Sequence, residues 1–121
     1  MNKDQEFWEY LNQLVLNCRV VVERPKGSIH PNYDDLVYPL DYGYLEGTTS
    51  IDGGGIDVWV GSEPHPYLKE FVCTVDLNKK DVEIKLLIGC SLEEAKEILD
   101  FHNQHSMRAF LITKHNSCNG R

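Results

Sequence analysis

Two runs of alternating polarity, Glu70 to Leu77 and Val82 to Ile88, are separated only by the polar segment Asn78-Lys79-Lys80-Asp81. A period of two sends alternate side chains to a core and to water. A short polar break between two such runs predicts a β-hairpin. Two strands alone are marginal in water and need further strands or a helix to cover their apolar face. Cys18 to Glu23 is a β-branched run ended by Pro25 and Gly27, and reads as a strand. Ile56 to Val60 is another, preceded by the turn Asp52-Gly53-Gly54-Gly55 and followed by the turn Glu63-Pro64-His65-Pro66. Met107 to Lys114 closes the fold as a strand, with a mobile tail expected after His115. Lys26 to Thr49 is rich in Gly, Pro, Asn, Asp and Tyr and reads as loop and short strand.

Helical periodicity is confined to two segments. Residues 4–16 carry Phe7, Trp8, Leu11, Leu14 and Val15 on one face, with Asp4 as the expected cap. Ser91-Leu92-Glu93-Glu94 is a capping box and opens a helix to about His105, with Leu92, Ala95, Ile98, Leu99 and His102 along one stripe. The expected architecture is mainly β with α: one domain over residues 1–121, a small barrel or curled sheet with a helix near each end.

The chain has 121 residues and a formal charge of −7. The acidic balance argues against nucleic-acid binding, because affinity for phosphate backbones comes from Lys and Arg. No apolar run approaches the ~20 residues that span a bilayer, so no membrane association is expected. The N-terminal residues lack the basic-then-apolar order of a signal peptide. Cys18, Cys73, Cys90 and Cys118 show no C-x-x-C spacing, and read as reduced thiols of a cytoplasmic protein.

Acidic residues recur at turns and strand ends. Asp52 and Asp57 are five apart, with three glycines between; Asp76 and Asp81 are five apart and bracket the hairpin. If they converged, they would repel one another, and a hard divalent cation such as Mg²⁺ or Mn²⁺ would relieve this. Asp and Gly are also ordinary turn residues, so spacing alone leaves both readings open. The segment Tyr38-Pro39-Leu40-Asp41-Tyr42-Gly43-Tyr44 offers phenols that can donate to phosphate, or a core aromatic cluster at a turn. Glu23-Arg24-Pro25-Lys26-Gly27-Ser28 by itself is a charged, solvated turn.

Taken in chain order, V-V-V-E-R-P-K-G-S, Y-P-L-D-Y-G-Y-L-E-G-T, D-G-G-G-I-D-V-W-V and D-x₄-D resemble the soluble family I inorganic pyrophosphatases over roughly Val20 to Asp81. The resemblance implies a five-stranded OB-type barrel with flanking helices. It implies Mg²⁺-dependent hydrolysis of pyrophosphate to two phosphates by a metal-activated water, with Mn²⁺ as an alternative ion, and assembly as a homo-oligomer. It places metal at Asp52, Asp57, Asp76 and Asp81, and phosphate beside Tyr38 and Tyr42. Glu23 matches an acidic residue of the same site, and Asp34 stands about where the family has a glutamate. Asp57, Tyr42 and Asp41 are the expected catalytic residues, and Tyr38, Lys26, Lys85 and Glu23 the expected substrate contacts.

The departures from the family pattern are as specific. The middle aspartate of the D-G-D loop, which helps activate the attacking water in the family, is Gly54. Asn32 stands for a lysine ahead of Tyr33 and Asp34, and only Asp35, Leu36 and Val37 separate that pair from Tyr38, so an arginine-bearing hairpin is lost. Glu83 stands where the family places a lysine after Asp81, with Lys85 next on the same strand face. His105 and Ser106 fall at a Tyr-Lys pair, and the family's C-terminal helix is missing. Lys26, His30, Lys85 and His105 are candidate replacements for the lost cations, while His102 and His105 read as surface histidines. The alternatives to a pyrophosphatase are a catalytically impaired relative that binds metal or phosphate, and a hydrolase of an organic diphosphate.

Overall fold

The computed structural model describes residues 2–64 and 67–114. In chain order the elements are α1 (Lys3–Leu16), β1 (Val20–Arg24), β2 (Asp41–Leu45), β3 (Ile56–Val60), β4 (Leu68–Asp76), β5 (Asp81–Ile88), α2 (Leu92–His102) and β6 (Met107–Thr113). Mainly β with α is the observed class. The strands form one sheet in the order β1-β2-β3-β5-β4-β6, six where five were expected. The additional strand is β2, inside the tyrosine-rich segment. No ladder joins β1 to β6 among the described residues, so the sheet is open rather than closed into the expected barrel. All neighbours are antiparallel except β3 and β5.

The hairpin forms as the alternation predicts, with Asp76 opposite Asp81 at its tip. Register then separates the sheet into two faces. On one, Trp59, Val72 and Leu87 pack against Ala95, Ile98 and Phe101 of α2 and against Leu36, Tyr38 and Leu40 of the loop before β2. On the other, Leu45, Val58, Phe71 and Leu86 pack against Trp8 and Val15 of α1. Helix α1 is fixed by Asn12, whose amide donates to the Leu68 carbonyl at 3.0 Å and whose oxygen accepts from the Leu68 amide at 2.6 Å. Beyond the reach of α1, Val75, Val82, Ile84 and Phe110 remain exposed on that face.

Both helices begin with capping boxes. At α1 the cap is Asn2, reciprocated by Gln5, rather than Asp4, which lies in the first turn where a carboxylate favours the helix dipole. At α2 the cap is Ser91 with Glu94. That helix stops at His102, short of His105, because the Asn103 side chain donates to the Leu99 carbonyl and accepts from the Ala109 amide, turning the chain into β6. Leu92, expected on the buried stripe, is exposed, and Phe101 is buried.

Cys18, Cys73 and Cys90 are free thiols. Cys118, the tail after His115, and His65 and Pro66 of the expected turn lie outside the described residues. No helix among the described residues is long and apolar enough to cross a membrane.

Candidate functional site

Helix α2 covers only the apolar half of its sheet face. Toward the β4–β5 hairpin the same face carries charge, and there the structure opens into a cavity of about 500 Å³. Its floor and walls include Asp52, Asp57, Asp76, Glu83, Lys85, Tyr38 and Tyr42, and its rim includes Tyr33, Lys79, His105 and Ser106. The parallel pairing of β3 with β5 is decisive, because it sets Asp57 in register with Lys85.

Lys85 is the centre of the polar floor. Its ammonium donates to Tyr42 Oη at 2.8 Å, Asp57 Oδ2 at 2.8 Å and Glu83 Oε1 at 2.9 Å. Its side chain is only 6% exposed. Burial works against its charge, but the adjoining Asp57 and Tyr42 oxygens outweigh that and hold the ammonium protonated. Burial likewise raises the Tyr42 phenol, against the pull of Lys85, so Tyr42 stays a neutral donor.

The hairpin tip is organised by Asp76. Its Oδ1 accepts from the amides of Asn78 at 2.9 Å and Lys79 at 3.1 Å and from the Ser106 hydroxyl at 3.2 Å. Burial opposes the Asp76 charge, and the two amides and the hydroxyl outweigh it, leaving its pKa lowered. Asp52 is fixed in the same way. Its Oδ1 accepts from the Ser50 hydroxyl at 2.5 Å and the Gly54 amide at 3.0 Å, and these bonds lower its pKa, with Glu83 close enough to contribute. Among the described residues the second oxygen of Asp76 takes no hydrogen bond, while Asp52 has the Glu83 side chain as a further neighbour.

An aromatic path leads from the floor to the rim. Tyr42 and Tyr38 lie 5.5 Å apart, Tyr38 and His30 5.9 Å, His30 and Tyr33 5.3 Å, and Tyr33 stacks on His105 at 4.1 Å. Asp35 accepts from His105 at 3.1 Å, which ties the loop before β2 to the turn before β6. His102 is not at the surface as expected. It is buried, its Nε2 accepts from Trp59 Nε1 at 3.1 Å, and its Nδ1 lies 3.2 Å from Met107 Sδ. Burial lowers its pKa to about 3, so it is a neutral structural group.

Of the residues singled out from the sequence, Asp52, Asp57, Asp76, Tyr38, Tyr42 and Lys85 meet in this cavity. Asp81 stands beside it, across from Asp76, with its Oδ2 3.6 Å from Lys79 Nζ. Asp41 and Lys26 do not line it: Asp41 Oδ1 accepts from the Lys26 amide at 2.8 Å, and Asp41 is in register with Val60 on the α1 face. Glu23 is also outside. A bulge between Val22 and Arg24 skips it and brings Arg24, not Glu23, opposite Tyr42. Burial raises the Tyr38 phenol against the pull of Arg24, which marks that guanidinium as a neighbour of the cavity. Arg24 and Glu83 were missed as site residues. Strand parity from Asp81 places Glu83 on the Lys85 face, whereas nothing in the alternation announces the bulge.

The donor set is oxygen only, which suits a hard divalent ion. Among the described residues no three His, Cys, Asp or Glu side chains are grouped so that they could hold a metal ion. Asp52 and Asp76 line the cavity as oxygen donors, the chemistry from which a hydrated hard ion such as Mg²⁺ takes one or two carboxylates.

Solved structures share the fold of this sheet and its two helices. The chain is similar to an inorganic pyrophosphatase from Helicobacter pylori, with 16% identity and a TM-score of 0.56 over 83% of this chain and 84% of that one. A structure described as an inorganic phosphatase from Anaplasma phagocytophilum gives 16% identity and a TM-score of 0.54 over 83% and 84%. An inorganic pyrophosphatase from Coxiella burnetii gives 15% identity and a TM-score of 0.50 over 80% and 84%. The fold of this chain is therefore pyrophosphatase-like. No protein-family model matches the sequence, and no curated protein sequence matches it.

Proposed function

We propose that the chain is a Mg²⁺-dependent phosphoanhydride hydrolase with inorganic pyrophosphate as its substrate. The observation that carries this reading is the meeting of Asp52, Asp57, Asp76 and Glu83 with Tyr38, Tyr42 and Lys85 in one cavity of a pyrophosphatase-like fold. Asp52 and Asp76, with Asp81 across the hairpin, would hold the ion; Mn²⁺ is an alternative. The bound ion supplies charge neutralisation and a water of lowered pKa.

The protein groups divide the remaining work. Tyr42 accepts from Lys85 and has Asp57 as a second hydrogen-bond partner, so its hydroxyl would hold the floor in place beside the substrate. Tyr38 stands one ring further along the same wall. Arg24 and Lys79 give cationic contact at the edge. His102 is no general base, since both ring nitrogens are engaged and burial keeps it neutral. Homo-oligomeric assembly and a cytoplasmic setting belong to the same reading and rest on the resemblance and the thiols.

Phosphate release from pyrophosphate with Mg²⁺ is the test. Turnover that chelation abolishes is expected, and release at the buffer rate with Mg²⁺ and with Mn²⁺ would refute the assignment. A second reading is favoured by the size of the cavity. About 500 Å³ with an aromatic wall is ample for an organic diphosphate carrying a ring. A nucleoside diphosphate turned over faster than pyrophosphate would favour it.

A further inference from the structure

We propose that Lys85 is a built-in cation that fills the oxygen cage of Asp57, Glu83 and Tyr42, so that this part of the cavity takes no divalent ion. An ammonium has three protons, and here each has an acceptor at 2.8–2.9 Å. None is left for a phosphate oxygen, so Lys85 acts as a positioning residue and not as a direct substrate contact. The cage is made of two carboxylates and a phenol, the donor chemistry of a hard-metal site, and its interior already holds positive charge. The strand arrangement makes this exchange possible: parallel pairing puts Lys85 beside Asp57, and strand alternation puts Glu83 on the same face.

Removing the ammonium without changing the shape of the side chain leaves two negative charges around an oxygen-lined hole. A single divalent ion matches that charge. The inference rests on the proposed metal chemistry and deepens it by leaving the ion to the cavity carboxylates that Lys85 does not engage, Asp52 and Asp76. Its test does not depend on turnover.

Mn²⁺ bound per chain is counted from the paramagnetic resonance signal of the free ion, titrating the full-length wild type, Asp57→Asn, Lys85→Met and the Lys85→Met/Asp57→Asn double variant. Asp57→Asn is expected to bind as many ions as wild type, Lys85→Met one more, and the double variant the wild-type number again. A lower count in Asp57→Asn, or an unchanged count in Lys85→Met, overturns the proposal. If Lys85→Met unfolds in chelator while the double variant stays folded, refolding on Mn²⁺ addition supports the proposal and failure to refold overturns it. A wild type that binds no Mn²⁺ defeats the metal-dependent function, yet leaves this inference standing if Lys85→Met gains an ion.

Discussion

Gly54 and His102 show how single residues set chemistry and stability here. The three glycines of the Asp52 loop are not equivalent. Gly53 has φ +89°, which disfavours any side chain, and a Cβ on Gly55 would run into the Tyr44 ring at 2.6 Å. At Gly54 the backbone is ordinary, and a Cβ would lie 3.4 Å from Asp52 Oδ1, a normal contact. The loop therefore has room for a Cβ where the resemblance assigns the water-activating residue. Gly54→Asp is expected to raise Mg²⁺-dependent pyrophosphate turnover roughly 100-fold, the lower end of general-base effects. A folded variant with unchanged or lower turnover would contradict this. His102 sets the acid limb of stability. Its folded pKa of about 3 lies below the ~6.5 of an unfolded histidine. As pH falls through that window the unfolded chain binds a proton that the folded chain refuses. Stability then drops by up to about 1.4 kcal/mol per pH unit. His30 is lowered too, mainly by burial, and adds to the same slope. Urea unfolding between pH 4.5 and 7.5 should show a shallower dependence in His102→Gln, and equal slopes would refute the assignment.

At the scale of elements, the hairpin was plain in the sequence because alternation and a polar break agree. The two helices were equally plain, apart from which residue caps α1 and where α2 stops. Strand β2 was less legible, since Gly43 interrupts its run. The bulge in β1 was not legible at all: period-two counting carries no mark of an extra residue, and it exchanged Glu23 for Arg24 beside Tyr42. The open edge between β1 and β6 was also beyond reach, because closure depends on sheet curvature and not on local pattern. The hairpin tip tests the dual use of Asp76. Asp76→Asn keeps an oxygen for the Asn78 and Lys79 amides and the Ser106 hydroxyl, whereas Asp76→Ala leaves all three without their acceptor. Asp76→Ala should lose about 1–3 kcal/mol in urea unfolding, and Asp76→Asn distinctly less. Both should lose Mg²⁺-dependent turnover. Equal losses of stability would show that the acceptor is not what holds the tip.

Over the whole molecule, the candidate site was legible as a set of residues and not as an arrangement. Sequence order indicated ten residues, of which Asp52, Asp57, Asp76, Tyr38, Tyr42 and Lys85 line the cavity and Asp81, Asp41, Lys26 and Glu23 do not. It could not say that Lys85 would pair with Asp57, because that contact joins residues 28 apart through a parallel pair with β4 set outside it. The charge left on the cavity makes a global prediction. Under the proposed function, Mg²⁺ bound in the cavity would stabilise the folded chain by mass action, about 2.7 kcal/mol at a hundredfold excess over Kd. Calorimetric melting should therefore shift upward in millimolar Mg²⁺ relative to NaCl of equal ionic strength, and coincident curves would count against a preformed site. The interleaved strand order has a temporal consequence as well. β3 cannot meet β5 until the intervening β4 has folded back, and β4 is itself flanked by β6 from the far end of the described chain. Non-local pairings of this kind slow the search for the native state. During synthesis the cavity cannot assemble piecemeal from the amino end: its floor forms only once β5 has emerged, and the Ser106 part of its rim later still.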